Sequence, residues 1–243
     1  MTLRNRIVTL IHTNISPTES TSKDMDSCKP KLIVVTGFGP FRQYLVNPSW
    51  EAVKGLKKKV LGANTEIHIV EIPVCYSKAH QAIAEIWHNL KPKIAIHVGI
   101  ASGAKCIILE QTGKNSGYKD KDSCGICPED NCCIKGGPEH LDSIIDMKTI
   151  AKSLKVLGLD VIYSRDAGRY LCDFVYYLSL HYGQGRAAFI HVPACVGLAN
   201  PDTLLPQLQA IIQVMLCHLD TQMLWPAASE CRCSEQQIKK VLK

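Results

Sequence analysis

The sequence has no run approaching the roughly 18 consecutive apolar residues that a membrane-spanning helix requires. Its early apolar stretch, Ile7-Val8-Thr9-Leu10-Ile11, is too short for the core of a signal peptide. It also lacks a Gly-x-x-x-x-Gly-Lys phosphate loop, an internal repeat, and a basic groove with interleaved aromatics. The 28 basic and 22 acidic residues leave a net charge of +6, but the basic ones are scattered in pairs and triplets. Lys57-Lys58-Lys59 reads as a solvated helix end near the negative pole of the dipole. These absences argue against a membrane protein, a nucleoside-processing enzyme and a nucleic-acid binder, and they predict a cytosolic chain.

What is present is ordinary globular material. With 243 residues, 46% hydrophobic and 21% charged, the chain can build one substantial core, so one domain is expected. Twelve cysteines would suit a disulfide framework in a short exported protein, but without an export signal they read as reduced thiols. Residues 1–29 mix Thr, Ser, Asn, Asp and Lys without period and predict a flexible leader. Residues 30–219 are expected to hold the folded domain, and 220–243 an irregular tail.

Within that domain strands and helices alternate. The β-branched run 31–36, ended by Gly37, predicts a buried parallel strand, followed by a helix from about Ser49. A strand at 66–72 precedes a helix over 78–90 capped by Ser77, then strands at 94–98 and 106–110. Residues 111–140 are rich in Gly, Lys, Asn, Asp and Cys, long enough to predict a functional or mobile segment such as a substrate-side lid. Helices over 147–157, 170–181 and 201–218 alternate with strands at 160–163 and 187–192. Such alternation demands crossover connections and a largely parallel sheet covered on both faces.

Reactive groups in open α/β sheets collect at the carboxyl ends of strands. Glu110 ends one predicted strand, His191 ends another just before Pro193, and Cys172 falls in the first turn of the 170–181 helix. A thiol at a helix N-terminus gains from the dipole and the free backbone N–H groups, both of which favour thiolate. An imidazole can take its proton and a carboxylate can orient the imidazole. The same residue types fit a buried thiol, a core histidine and a surface carboxylate equally well. Cys124, Cys127, Cys132 and Cys133 are a further candidate set, for zinc, although the adjacent second pair strains a tetrahedral site.

The order of several segments is more telling than any one of them. Thr36-Gly37-Phe38-Gly39-Pro40-Phe41, residues 47–53, Glu71-Ile72-Pro73-Val74, His97-Val98-Gly99, Leu109-Glu110, Gly136-Gly137-Pro138-Glu139, residues 166–173 and Phe189-Ile190-His191-Val192-Pro193 resemble, in this order, the pyroglutamyl-peptidase I family. The resemblance covers roughly residues 31–216, and the cysteine-bearing loop is similar to the vertebrate branch. It implies a three-layer α/β/α sandwich of phosphorylase/hydrolase-like type around a mostly parallel, mixed sheet. It also implies a cytosolic thiol protease whose triad is Glu110, Cys172 and His191, with Phe38 and Phe41 holding a flat lactam ring.

Aromatic faces suit an uncharged five-membered ring, whereas a free amino terminus would have to shed its hydration there. The partners implied are N-terminally pyroglutamylated peptides, with no metal, no cofactor, no nucleic acid and no membrane, and a monomer or weak homo-oligomer. Three departures stand out: Arg42 where the family has glycine, Cys75 in place of an acidic residue, and Lys114 in place of histidine. They imply altered substrate affinity, and they leave open a weakly active or inactive relative that binds peptides or serves a structural role.

Overall fold

A computed structural model of the chain describes residues 30–42, 44–56, 65–194 and 201–224, with the side chains of 201 and 221–224 excepted. The expected leader, the Lys57-Lys58-Lys59 run and most of the expected tail lie outside the described residues. A six-stranded sheet forms the middle layer, in the order β2-β1-β3-β8-β4-β7. Its strands are β1 (Lys31–Phe38), β2 (Thr65–Ile72), β3 (Ile94–Ala101), β4 (Ile107–Glu110), β7 (Val161–Ser164) and β8 (Ala187–Pro193). A separate two-stranded antiparallel sheet pairs β5 (Thr112–Lys114) with β6 (His140–Asp142).

Because side chains alternate across a strand, the buried β-branched runs feed two cores at once. On one face Ile33, Val35, Ile94, Ile96, Ile190 and Val192 meet α1 (Pro48–Leu56), α3 (Met147–Val156) and α5 (Pro201–Leu224). On the other, Val34, Ala95, Ala187 and Phe189 meet α2 (Tyr76–Glu85) and α4 (Leu171–Tyr182). The result is the three-layer α/β/α sandwich that the sequence pattern implies.

The sheet is mixed in a way that bears on the site. β2, β1, β3 and β8 run parallel, but β4 pairs antiparallel with β8, and β7 runs parallel to β4. Two helix boundaries also depend on distant residues. α2 begins at Tyr76 rather than beyond Ser77, because the carboxylate of Asp122 accepts the Tyr76 N–H at 2.8 Å. It ends in a π-helical turn over Ile86–Leu90, where Lys91 turns left-handed ahead of Pro92. α5 runs to Leu224, six residues beyond the apolar spacing that predicts its end at 218.

Candidate active site

The register between β4 and β8 brings the carboxylate to the imidazole. Glu110 lies opposite Phe189 and Ile108 opposite His191, so Glu110 and His191 are diagonal neighbours on one face of the sheet. That face is the one α4 covers. Both side chains are buried, and His191 Nδ1–H donates to Glu110 Oε1 at 2.9 Å. The second oxygen, Oε2, has no hydrogen-bond partner among the described residues.

Cys172 is the second residue of α4, whose N-cap residue Tyr170 makes no side-chain capping bond and leaves the first-turn N–H groups open. With Nδ1 committed to Glu110, Nε2 is the ring nitrogen left to face the thiol. Burial opposes charge on His191, but hydrogen bonds to Cys172 and Glu110 outweigh it and push its pKa up to about 9. Gly99 of β3 makes room for the sulfur: a Cβ there would lie 2.9 Å from Cys172 Sγ and 2.8 Å from Phe189 Cζ. One helical turn beyond Cys172, the buried Tyr176 hydroxyl donates to the carbonyl oxygens of Glu110 (2.8 Å) and Gln111 (3.1 Å). It ties the helix that carries the thiol to the strand that carries the carboxylate, a link that no sequence spacing announces.

Phe38 and Phe41 line a cavity of about 470 Å³ together with Cys172, His191 and Glu110. The loop that carries them is fixed by a small relay. Phe38 N–H donates to Ser49 Oγ (3.0 Å), Ser49 Oγ donates to Asn47 Oδ1 (2.9 Å), and Asn47 Nδ2 donates to the Gly39 carbonyl (2.9 Å). The start of α1 can approach this closely because residue 37 is glycine: a Cβ there would meet Trp50 Cα at 2.7 Å. Asn47 thus precedes α1 and also braces the pocket.

Asp173, beside Cys172, is fully buried. Burial pushes its carboxyl up to about 7, against the pull of the Tyr118 hydroxyl, Arg169 and the Lys114 N–H. It joins α4 to Lys114 and Tyr118 of the segment that follows β4. The long 111–140 segment is otherwise well tied down rather than a free flap. Asn115 bonds Ile134 and Gly137, and Asp122 accepts from Tyr76, Cys124 and Ile126. Of its residues only Asp120 joins Glu110 in lining the cavity.

The family model for pyroglutamyl peptidase matches residues 31–214. The chain belongs to the pyroglutamyl peptidase family. It is 48% identical over 188 residues to pyroglutamyl-peptidase 1 of Mus musculus, covering 76% of this chain and 90% of that one. To the pyroglutamyl-peptidase 1-like protein of Homo sapiens it is 47% identical over 164 residues, 66% of this chain and 83% of that one. Among solved structures it is similar to a variant pyrrolidone carboxyl peptidase from Pyrococcus furiosus, with a TM-score of 0.70 and 30% identity. That match covers 77% of this chain and 99% of the other.

The departures from the pyroglutamyl peptidase pattern each find a structural account. Lys114 pairs with Asp166 at 3.2 Å, and Cys75 is the N-cap residue of α2. Arg42, in the glycine position, keeps the left-handed backbone that glycine favours (φ 51°). Its guanidinium lies 4.7 Å from the centre of the Phe41 ring and 5.9 Å from that of Tyr170, at the cavity mouth. A left-handed non-glycine residue costs about 1–2 kcal/mol, and exposed cation–π contacts return about 0.5–1 kcal/mol each. Arg42→Gly is therefore expected to leave thermal stability within about 1 kcal/mol of the parent. It should lower KM about 2- to 5-fold at constant kcat by clearing the mouth; thermal melts and steady-state kinetics check both halves.

The four cysteines weighed as a zinc set do not come together. Among the described residues the group whose ligand atoms come together is Cys75, Asp122 and Cys124, not Cys124 with Cys127, Cys132 and Cys133. Cys127, Cys132 and Cys133 each contact backbone carbonyls instead. Seven described cysteines are free thiols, and Cys217 is disulfide-bonded, which departs from the expectation that all are reduced. No helix among the described residues is long and apolar enough to cross a membrane.

Proposed function

We propose that this protein is a cysteine peptidase that releases an N-terminal pyroglutamyl residue from peptides, with Cys172 as nucleophile, His191 as acid and base, and Glu110 as the group that orients the imidazole. The observation that carries the reading is the buried Glu110–His191 hydrogen bond at the foot of a cavity shared with Cys172, Phe38 and Phe41. The names of the relatives agree with it: pyroglutamyl-peptidase 1 and pyrrolidone carboxyl peptidase.

In the proposed reaction the lactam ring lies against Phe38 and Phe41, and the Cys172 thiolate attacks the pyroglutamyl carbonyl carbon. First-turn N–H groups of α4 receive the developing oxyanion. Collapse expels the amine, which takes its proton from His191 and leaves a thioester on Cys172. His191, now neutral, draws a proton from water, and the hydroxide cleaves the thioester to release 5-oxoproline. No step needs a metal or cofactor. The proposal extends to one folded unit that starts at residue 30 and, because α5 runs to Leu224, ends beyond the expected 219, to a cytosolic setting, and to a monomer or weak homo-oligomer. The hydrogen-bonded Glu110–His191 pair supports catalysis over a pocket kept only for peptide binding.

The assay is hydrolysis of a fluorogenic pyroglutamyl amide beside the matching prolyl and glutaminyl amides. Turnover of the pyroglutamyl amide alone is expected, and no turnover would sink the reading. His191 also sets the pH dependence. Its folded pKa is raised from 6.5 to about 9, so the imidazolium needed to protonate the amine persists at neutral pH and is lost as pH rises through that value. The kcat/KM profile is expected to fall on the alkaline side near there rather than near 6.5. The same shift stabilises the fold fully below the unfolded value, and that contribution also disappears as pH rises through about 9.

A further inference from the structure

The β2–α2 junction and the 122–126 turn are tied together on both sides of one cysteine. Before Cys75, the carbonyl of Val74 accepts from Ser123 N–H (3.1 Å) and Ser123 Oγ (2.5 Å). After it, the Tyr76 N–H donates to Asp122 Oδ2 (2.8 Å), while Asp122 Oδ1 accepts from Cys124 (2.8 Å) and Ile126 (3.1 Å). These bonds set Cys124 beside Cys75. Cys75 Sγ, Cys124 Sγ and a carboxylate oxygen of Asp122 all lie within 4.8 Å of one another. Cys75 is buried and Cys124 is exposed to solvent.

We propose that Cys75 and Cys124 form a modification site: a dithiol that hydroperoxides oxidise to an intramolecular disulfide, which clasps the 111–140 segment to the N-terminus of α2. The two sulfurs have unequal roles. Cys75 occupies the N-cap of α2 in extended backbone, and its sulfur lies 3.4 Å from Ser77 Oγ. Burial raises its pKa, but Ser77, the Lys78 N–H and Cys124 outweigh burial and hold it below the usual thiol value. Cys124 is moved the other way, first by its contact with Cys75. A more acidic thiol beside a less acidic one is a pairing that peroxide chemistry uses.

The step balances. The Cys75 thiolate attacks one peroxide oxygen, the O–O bond breaks, and the alcohol or water departs with a proton, leaving Cys75 as a sulfenic acid. The Cys124 sulfur then attacks the Cys75 sulfur, the S–O bond breaks, and water leaves with the Cys124 proton. The two sulfurs lose two electrons and the peroxide gains them. Asp122 holds the two cysteines in place through backbone bonds, one to Oδ2 and two to Oδ1. Val74, next to Cys75, lines the cavity, so the bond would form against the wall of the site.

The site stands independently of the peptidase reading, and its test reads a covalent bond. Full-length protein, reduced and treated with a metal chelator, is exposed to hydrogen peroxide, blocked with an alkylating agent and digested without reductant. The expected result is a cross-linked peptide pair carrying Cys75 and Cys124, two hydrogens lighter than the reduced pair and separated again by dithiothreitol. Cys75→Ser and Cys124→Ser should each lose it, with the sulfenic acid trapped by dimedone on Cys75 in the Cys124→Ser variant. Alkylation of both cysteines after peroxide, separate oxidation to sulfinic acids, or a bridge to a different cysteine would overturn the proposal.

Discussion

Replacing Cys172 with alanine is expected to bring hydrolysis of a pyroglutamyl amide down to background, a loss of about 10⁴-fold or more. The size follows from the chemistry: without the sulfur no thioester can form, and the imidazole has no nucleophile to activate. The fold should tolerate the change. Cys172 is only partly buried, and its sulfur lies beside Gly99 and His191, so a small loss of contact is all that alanine brings. A melting temperature within a few degrees of the parent, about 1 kcal/mol, would show that the lost activity is chemical. Substantial turnover by a correctly folded Cys172→Ala protein would remove Cys172 from the mechanism.

Glu110→Gln is the second large effect, about 10²- to 10⁴-fold in kcat. The substitution is nearly isosteric and unusually clean, because Oε2 of Glu110 has no other hydrogen bond among the described residues to lose. A glutamine amide can face His191 Nδ1 with its oxygen or with its nitrogen. The second choice makes Nδ1 the acceptor, moves the ring proton to Nε2, and leaves nothing to take the thiol proton. Removing the carboxylate also withdraws one of the two contacts that raise the His191 pKa. The alkaline limb of the pH profile should therefore shift toward lower pH in this variant. A purely structural role for Glu110 would lower stability without moving that limb.

Much of the fold was legible in the sequence because its signals are local. Buried runs such as 31–36 and 187–192 give strands nearly where they are expected, and α3, expected over 147–157, runs from Met147 to Val156. The direction of β4 was not legible. The expectation that Glu110 and His191 share a carboxyl edge of parallel strands fails, since β4 runs against β8, and it is their register that joins the two side chains. Pairing direction depends on non-local contacts that no window of residues contains. For the same reason the start of α2 at Tyr76, set by Asp122, and the brace from Tyr176 to Glu110 were invisible in advance.

The site itself was legible mainly through the ordered family segments. Residue types alone left Cys172 an equally good buried thiol, His191 a core histidine and Glu110 a surface carboxylate, and the near-complete burial of Glu110 departs from the last of these. What distinguishes them from core is the direct hydrogen bond between two buried ionisable groups and the cavity they reach. The 111–140 segment misled because its Gly, Asn and Asp content reads as mobile, whereas Asn115 and Asp122 spend their side chains on its own backbone and on α2. Polar residues of this kind order a loop once their partners are in place.

On the proposed mechanism, Cys172 carries the acyl group between two half-reactions. Rapid mixing of the enzyme with a pyroglutamyl substrate, an acid quench and peptide mass spectrometry test it directly. A 5-oxoprolyl group is expected on the peptide that contains Cys172, and none in Cys172→Ala. An acyl group on any other residue, or full turnover with no covalent species at any quench time in either protein, would contradict it.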